Sequence, residues 1–227
     1  MNKEEPVLII PHEGGLKAVN FNFLGLNRIS DFDSKKIVNV YTKSNKRIQE
    51  LDKALEEFNL LINKPNIQEE EIHQFVLQNP IFLMGLNYKS IRSKIILERV
   101  NDGDLIPDFF LEPLYDPHWD ILDLKKPDSK LLVSKKNRNR FSANVFEAIS
   151  QLRTYGDYFS DRANRERIKK KYGIQCYKPK LVVVIGNKHA VDPKLLKDAE
   201  IDVNKVQIKS YDDIYNEVLF IRDWMAR

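Results

Sequence analysis

A chain of 227 residues with 42% hydrophobic and 31% charged side chains is long enough for one sizeable core plus a smaller module, and this composition excludes the disordered and fibrous classes. Lys and Arg exceed Asp and Glu by 37 to 33, a net charge of +4 that points only weakly to a polyanionic partner. One cysteine, Cys176, excludes an internal disulfide, and the longest strongly apolar run, Leu181 to Ile185, is far too short to span a bilayer; the expectation is a cytoplasmic protein with no membrane partner.

Residues 1–43 hold three short β-like runs, Val7 to Ile10, Ala18 to Leu24 and Lys36 to Tyr41, separated by Pro11, Gly14-Gly15 and the polar stretch Ser30 to Ser34. They predict a small strand-rich N-terminal module in which nothing reads as catalytic. From Ser44 the period becomes helical, with Ile48, Leu51, Leu55, Phe58 and Ile62 at three- and four-residue steps. Pro65-Asn66 stops this amphipathic helix, which links the two parts of the chain over residues 44–66. A second helix is expected from about Ile67 to Asn79, with Glu71 one turn before Phe75 at the border of the buried face.

Three strands follow, Ser93 to Val100, Leu105 to Leu111 and Trp119 to Lys126, as an antiparallel meander with a tight turn at Asn101 to Asp104. Centring the second connection between Leu114 and Tyr115 makes Asp108 face Ile121 and puts Asp123 and Lys125 on the Asp108 side of the sheet. Asp108 and Asp123 are then diagonal neighbours about 7–8 Å apart, a separation that one divalent cation can bridge through the side-chain oxygens. Charges on a sheet are most often its solvated face. Asp123, however, sits in Trp119-Asp120-Ile121-Leu122-Asp123-Leu124-Lys125, apolar at four of seven places and on both faces, which suits a covered strand where a charge needs a partner or a metal.

Beyond the third strand Lys126, Lys130, Lys135, Lys136, Arg138 and Arg140 stand against a single Asp128, a loop that would attract phosphate backbone. A long helix from Ser142 to Phe159 turns Val145, Phe146, Ile149 and Leu152 to the core and carries Gln151 and Tyr155 one turn apart on its flank. The segment Asp161 to Lys171 reads as a basic helix with Arg162, Arg165, Arg167 and Lys169 to Lys171, a second candidate surface for nucleic acid, although a solvated helix face is the commoner reason for such a run. The apolar strand Leu181 to Ile185 suits the middle of a sheet, and helix Pro193 to Glu200, strand Val206 to Lys209 and helix Asp212 to Met225 complete the chain. There is no zinc-like Cys/His spacing, no glycine-rich phosphate loop and no Gly-x-Ser-x-Gly elbow.

Pro107-Asp108 followed by Asp123-Leu124-Lys125 resembles the P-D…D/E-x-K signature of the restriction-endonuclease-like nucleases. More narrowly, Glu71 to Pro80, Pro107 to Phe109, Asp123 to Pro127 and Ala148 to Tyr155 resemble, in order, the nuclease domain of the Shedu anti-phage defence proteins. The element order over residues 67–227 agrees with the αβββαβ core of that α/β (α+β) class, a mixed sheet flanked by helices. The resemblance implies a metal-dependent endonuclease acting in phage defence, with DNA as target and a homo-oligomeric state, dimer or tetramer. Asp108 and Asp123 are then metal ligands with the Leu124 carbonyl as a third and Glu71 as an outer or second-metal ligand, Glu70 and Glu69 remaining rivals for that role. Hard oxygen donors suit Mg²⁺, with Mn²⁺ as a substitute. Lys125 would orient the attacking water or neutralise developing charge, and Gln151 would hydrogen-bond the water or a phosphate oxygen. Lys126, Lys135, Lys136, Arg138, Arg140, Tyr155, Arg165 and Lys169 are the candidates for holding nucleic acid. The alternative is a catalytically silent nucleic-acid-binding protein, or a sensor and oligomerisation subunit of a defence system.

Overall fold

The computed structural model describes residues 7–12, 15–20, 34–99, 102–135, 138–189, 191–201, 203 and 205–226. The chain divides into two compact units, Met1–Lys53 and Ala54–Arg227. In the first, β1 (Val7–His12) and β2 (Gly15–Asn20) form an antiparallel hairpin in which Val7 pairs with Asn20 and His12 with Gly15. The boundary falls within α1 (Ser34–Ile62). This helix starts earlier than its apolar stripe suggests, and the run Lys36 to Tyr41, expected as a third strand, is helical. Its β-branched residues favour extension locally, but propensity is a weak prior beside continuation into a long helix. The last part of the second expected strand, residues 21–24, lies outside the described residues.

The second unit opens with the end of α1, followed by α2 (Glu69–Gln78) and the short α3 (Ile81–Met84), which lead into β3 (Tyr88–Ser93), β4 (Phe109–Pro113) and β5 (Asp120–Leu124). The basic connection is not a plain loop: β6 (Leu132–Lys135) and β7 (Arg138–Phe141) pair within it as a hairpin. Then come α4 (Ala143–Tyr158), α5 (Arg162–Tyr172), β8 (Leu181–Val184), α6 (Pro193–Ile201), β9 (Val206–Lys209) and α7 (Tyr211–Met225). The main sheet has the order β3-β4-β5-β8-β9, antiparallel through its first three strands and parallel through the last three. It is a mixed α/β architecture with helices flanking a five-stranded sheet. Among the described residues no helix is long and apolar enough to cross a membrane.

The centre of the sheet follows from its sequence, since every residue of β5 and β8 is buried and only strands covered on both faces tolerate such runs. On one face Val145, Ala148, Ile149 and Leu152 of α4 pack in a core with Phe110, Ile121 and Val183. On the other, Phe58 stacks with Phe75, Phe82 and Tyr211, and His73 lies on Phe109 with ring centroids 4.5 Å apart.

Two features of the meander differ from expectation. The first strand is Tyr88–Ser93 and not Ser93 to Val100, because Lys94 adopts φ 59°, a left-handed conformation that ends extension; the next apolar residues make only an isolated bridge, Leu97 to Leu105. The register of β4 and β5 pairs Phe109 with Leu122 and Leu111 with Asp120, which centres their connection between Tyr115 and Asp116. Continued past Phe109, that register puts Asp108 directly opposite Asp123 instead of diagonal to it.

Candidate active site

The site is built where β4 begins and β5 ends. Asp123, 1% exposed, belongs to a fully buried strand, and Asp108 immediately precedes the strand beside it. Asp108 Oδ2 accepts a hydrogen bond from the Leu124 amide at 2.7 Å. Burial above all, and then the neighbouring Asp123 charge, pushes the Asp108 carboxyl up to about 7, although the Leu124 amide and Lys125 act in the opposite direction. Two acidic groups have been brought into a space that water does not neutralise.

Lys125 provides part of the compensation. Its Nζ lies 2.6 Å from Asp123 Oδ2, an oxygen sealed from solvent with no hydrogen bond aligned on it. Burial works against the ammonium, but Asp123, Glu69 and Asp108 more than offset it, so Lys125 is held above its ordinary range and stays charged. The Lys125 amide donates to the Val184 carbonyl of β8, and its carbonyl accepts from the Tyr211 hydroxyl at 2.6 Å. Because the amide and carbonyl of one strand residue leave on the same side, the Leu124 carbonyl follows its amide toward Asp108.

A second aspartate on β5 shows what a structural carboxylate looks like in this strand. Asp120 is also buried, but it accepts from the Lys180 amide at 2.8 Å and from the Tyr88 hydroxyl at 3.1 Å, so both its oxygens are satisfied by neutral donors. Asp123 has the Lys125 ammonium beside it and the Asp108 carboxyl opposite, near enough for the two acids to share a hydrogen bond. Burial without aligned donors is costly, and a divalent cation would relieve it.

The first-turn acids of α2 face different ways. Glu71 forms an ion pair with Lys64 and accepts from the Gln68 amide as half of a capping box, interactions that hold its carboxyl below the usual range and direct it to the helix start. The acid whose charge reaches Lys125 and Tyr211 is Glu69. The signal was present in the spacing: Ile72 and Val76 are the buried residues of α2, and Glu69 lies one turn before Ile72 on their stripe. Judging the helix face from Phe75, which is only half-buried, points instead to Glu71.

From the α4 side, Gln151 Nε2 donates to the Tyr155 hydroxyl at 2.5 Å, and that hydroxyl is pushed up by burial and by the Asp123 and Asp108 charges. Tyr155 is 3% exposed, so it supports the site from below and offers no ring to a nucleic acid, contrary to expectation. Sequence reasoning overlooked Tyr211, a buried tyrosine at the first position of α7 whose hydroxyl is also pushed far up by burial and by Glu69, Asp108 and Asp123.

Among the described residues no group of three or more His, Cys, Asp or Glu side chains is placed to hold a metal ion. The available donors are the two carboxylates and the Leu124 carbonyl, hard oxygens that suit Mg²⁺ completed by water. The unaligned Asp123 oxygen and the mutual repulsion of the pair fit such an ion.

The basic residues divide into two groups. Lys126 is half-buried beside the site, and Arg140 and Lys169 are exposed; the side chains of Lys135 and Arg138, and all of Lys136, lie outside the described residues. Arg165, expected on a nucleic-acid track, instead donates to the Phe159 and Ser160 carbonyls at 2.7 Å each, closing the end of α4, and lies over the Tyr177 ring. Arg167 donates to the Glu98 carbonyl, and Lys171 pairs with the Glu98 carboxylate, so much of the α5 charge has internal work.

The family model described as “Shedu protein SduA, C-terminal” matches residues 66–215. No curated protein matches the chain.

Proposed function

The chain belongs to the Shedu family of anti-phage defence proteins, and from that membership we propose that residues 67–227 form a metal-dependent endonuclease of the P-D…D/E-x-K class that hydrolyses phosphodiester bonds in DNA. The observation that carries this reading is the convergence of Asp108, Asp123 and Lys125 at the junction of β4 and β5. In this reading residues 44–66 link the nuclease to the module of residues 1–43, and the protein works as a homo-oligomer.

Asp108, Asp123 and the Leu124 carbonyl would hold Mg²⁺ or Mn²⁺, which when bound supplies a water of lowered pKa and neutralises phosphate charge. Lys125, kept charged by its acidic neighbours, is suited to stabilise the negative charge that develops on phosphorus oxygens and is unsuited to act as a base. Gln151 uses an amide proton on Tyr155, which fixes the side chain and leaves its carbonyl oxygen to accept from the attacking water. Glu69 restrains Lys125 from the opposite helix. Lys126, Arg140 and Lys169 would attract the phosphate backbone without reading bases.

The test is to incubate the protein with supercoiled plasmid, linear duplex, single-stranded DNA and RNA in Mg²⁺, Mn²⁺ or EDTA. Cleavage of DNA that requires the cation and vanishes in Asp123→Ala supports the proposal; equal cleavage in EDTA overturns it. The second reading, a protein that binds nucleic acid without cutting it, is favoured by the want of a third carboxylate at the pair among the described residues. Binding without cleavage in every cation would establish it.

A further inference from the structure

Beside the acidic pair one residue stands in a conformation that its side chain disfavours. In the register of β3 on β4, Arg92 pairs with Phe110 and Ser93 with Phe109, so Lys94 follows β3 at the same end of the sheet as Asp108, one strand further out. Arg92 shares the α4 face with its partner Phe110, and strict alternation would turn Ile95 to the opposite face. Ile95 is instead buried in the α4-side core with Phe110 and Ile121, and the left-handed step at Lys94, φ 59°, brings it there. The fold therefore requires a positive φ at this position. Glycine meets that requirement freely and asparagine at little cost, whereas a lysine is strained by it.

The ammonium gains nothing inside the protein in return. Arg92 donates to the Tyr172 carbonyl at 2.5 Å and lies over the Trp119 ring, Arg99 donates to the Gly103 carbonyl and pairs with Asp102, and the Glu98 carboxylate is taken by Lys171. Lys94 is exposed and makes no hydrogen bond or ion pair with any described residue. The charges that act on Asp108 are those of Asp123 and Lys125, so Lys94 is not part of the pair's own compensation. Neighbouring strands lie about 4.8 Å apart, which puts the ends of β3 and β5 roughly 10 Å apart. A polyanion crossing the strand ends meets Lys94 on the β3 side of the pair and half-buried Lys126 on the β5 side. We propose that Lys94 binds the nucleic-acid phosphate adjoining the one at Asp108 and Asp123. The assignment rests on the nuclease reading of that pair, to which it adds a substrate contact from β3.

Lys94→Gly removes the ammonium and suits the left-handed backbone, so the variant should melt close to the wild-type temperature; Lys94→Asn, which also tolerates this conformation, should behave alike. In EDTA both should bind a short fluorescent DNA duplex several-fold more weakly than wild type, with the slope of log affinity on log salt flattened by about 0.9. With Mg²⁺ present KM should rise while kcat is kept, since a contact to a phosphate away from the reacting one serves ground and transition states alike. Lys178→Gly is the control. Lys178 also has a positive φ, 47°, but precedes β8 at the opposite end of the sheet, and its loss should leave affinity and slope unchanged. Equal effects at the two lysines overturn the proposal, because they report net charge alone. Unaltered binding by Lys94→Gly overturns it as well, and so does a wild type that binds no DNA. Cation-dependent cleavage with unaltered binding by Lys94→Gly removes the contact and leaves the nuclease reading in place. Binding that depends on Lys94 without cleavage in any cation does the reverse.

Discussion

Replacing Asp108 by Asn removes one of two opposed charges while keeping the oxygen that accepts from the Leu124 amide. The Asp108 carboxyl stands at about 7 in the folded chain against an ordinary 3.8. An acid whose folded pKa is raised destabilises the fold when ionised. Below about 4 it is protonated in both states and costs nothing; the cost grows as pH rises and is complete above about 7. About three pKa units at roughly 1.4 kcal/mol each give an upper bound of about 4 kcal/mol. Residual solvent contact and the mobility of charges in proteins reduce the expected value to about 2 kcal/mol. Urea unfolding of metal-free protein, followed by the fluorescence of buried Trp119, should find Asp108→Asn more stable than wild type by about that amount at pH 8, with the gap shrinking as pH falls toward 4. Mg²⁺ at pH 8 should restore most of the difference to wild type and add little to the variant. A gap between the two proteins that does not change with pH would refute the argument, because it would mean that burial and the Asp123 charge do not hold the Asp108 carboxyl above its ordinary range.

Lys125→Ala should keep Mg²⁺ binding by calorimetry while turnover is lost, since the ammonium acts on the phosphate; loss of both together would assign it to the metal. Glu69→Gln should lower the cleavage rate about 10–100-fold, as changes just outside a metal's own ligands commonly do, whereas Glu71→Gln should lower the melting temperature slightly and leave cleavage alone; the reverse pattern would return the role to Glu71. In a salt titration of DNA binding, Arg140→Ala should flatten the slope of log affinity on log salt by about 0.9 for one lost phosphate contact. Arg165→Ala should instead lower thermal stability at an unchanged slope, because its guanidinium is committed to the end of α4.

The central strands are legible in the sequence because Leu181 to Val184 and Asp120 to Leu124 are too apolar to lie anywhere but inside, and α4 is legible from its period. β3 is not, since Tyr88-Lys89-Ser90-Ile91-Arg92-Ser93 is a polar edge strand with an irregular register, while the more apolar run after it is turned aside by Lys94. The register of β4 against β5 depends on a proline-containing connection whose length does not specify where the chain reverses. The expected and observed registers differ by two residues, and side chains alternate with a period of two, so Asp108 and Asp123 share a face in both. Glu69 was within reach of the same period counting but required knowing that Ile72 and Val76, and not Phe75, are the residues that α2 buries. The commitment of Arg165 to the end of α4 is a tertiary contact that no local pattern announces.

The hydroxyl of Tyr211 on the Lys125 carbonyl ties the end of β5 that carries Asp123 to the far side of the sheet. Ser210 alone separates β9 from that tyrosine, and the Tyr211 amide is itself held by the Gly186 carbonyl at the end of β8. Gly186 admits no side chain, since at φ +63° a Cβ there would meet the Ser129 carbonyl at 2.4 Å, so the segment following Lys126 is wedged against the same turn. The backbone carbonyl of Lys125 is thus one end of a short, stiff lever whose other end is an outer strand. Whatever grips that strand pulls on the residue that neutralises Asp123, and if the proposed nuclease reading holds, a cleavage rate that follows strain on β9 is the mechanical signature of this arrangement.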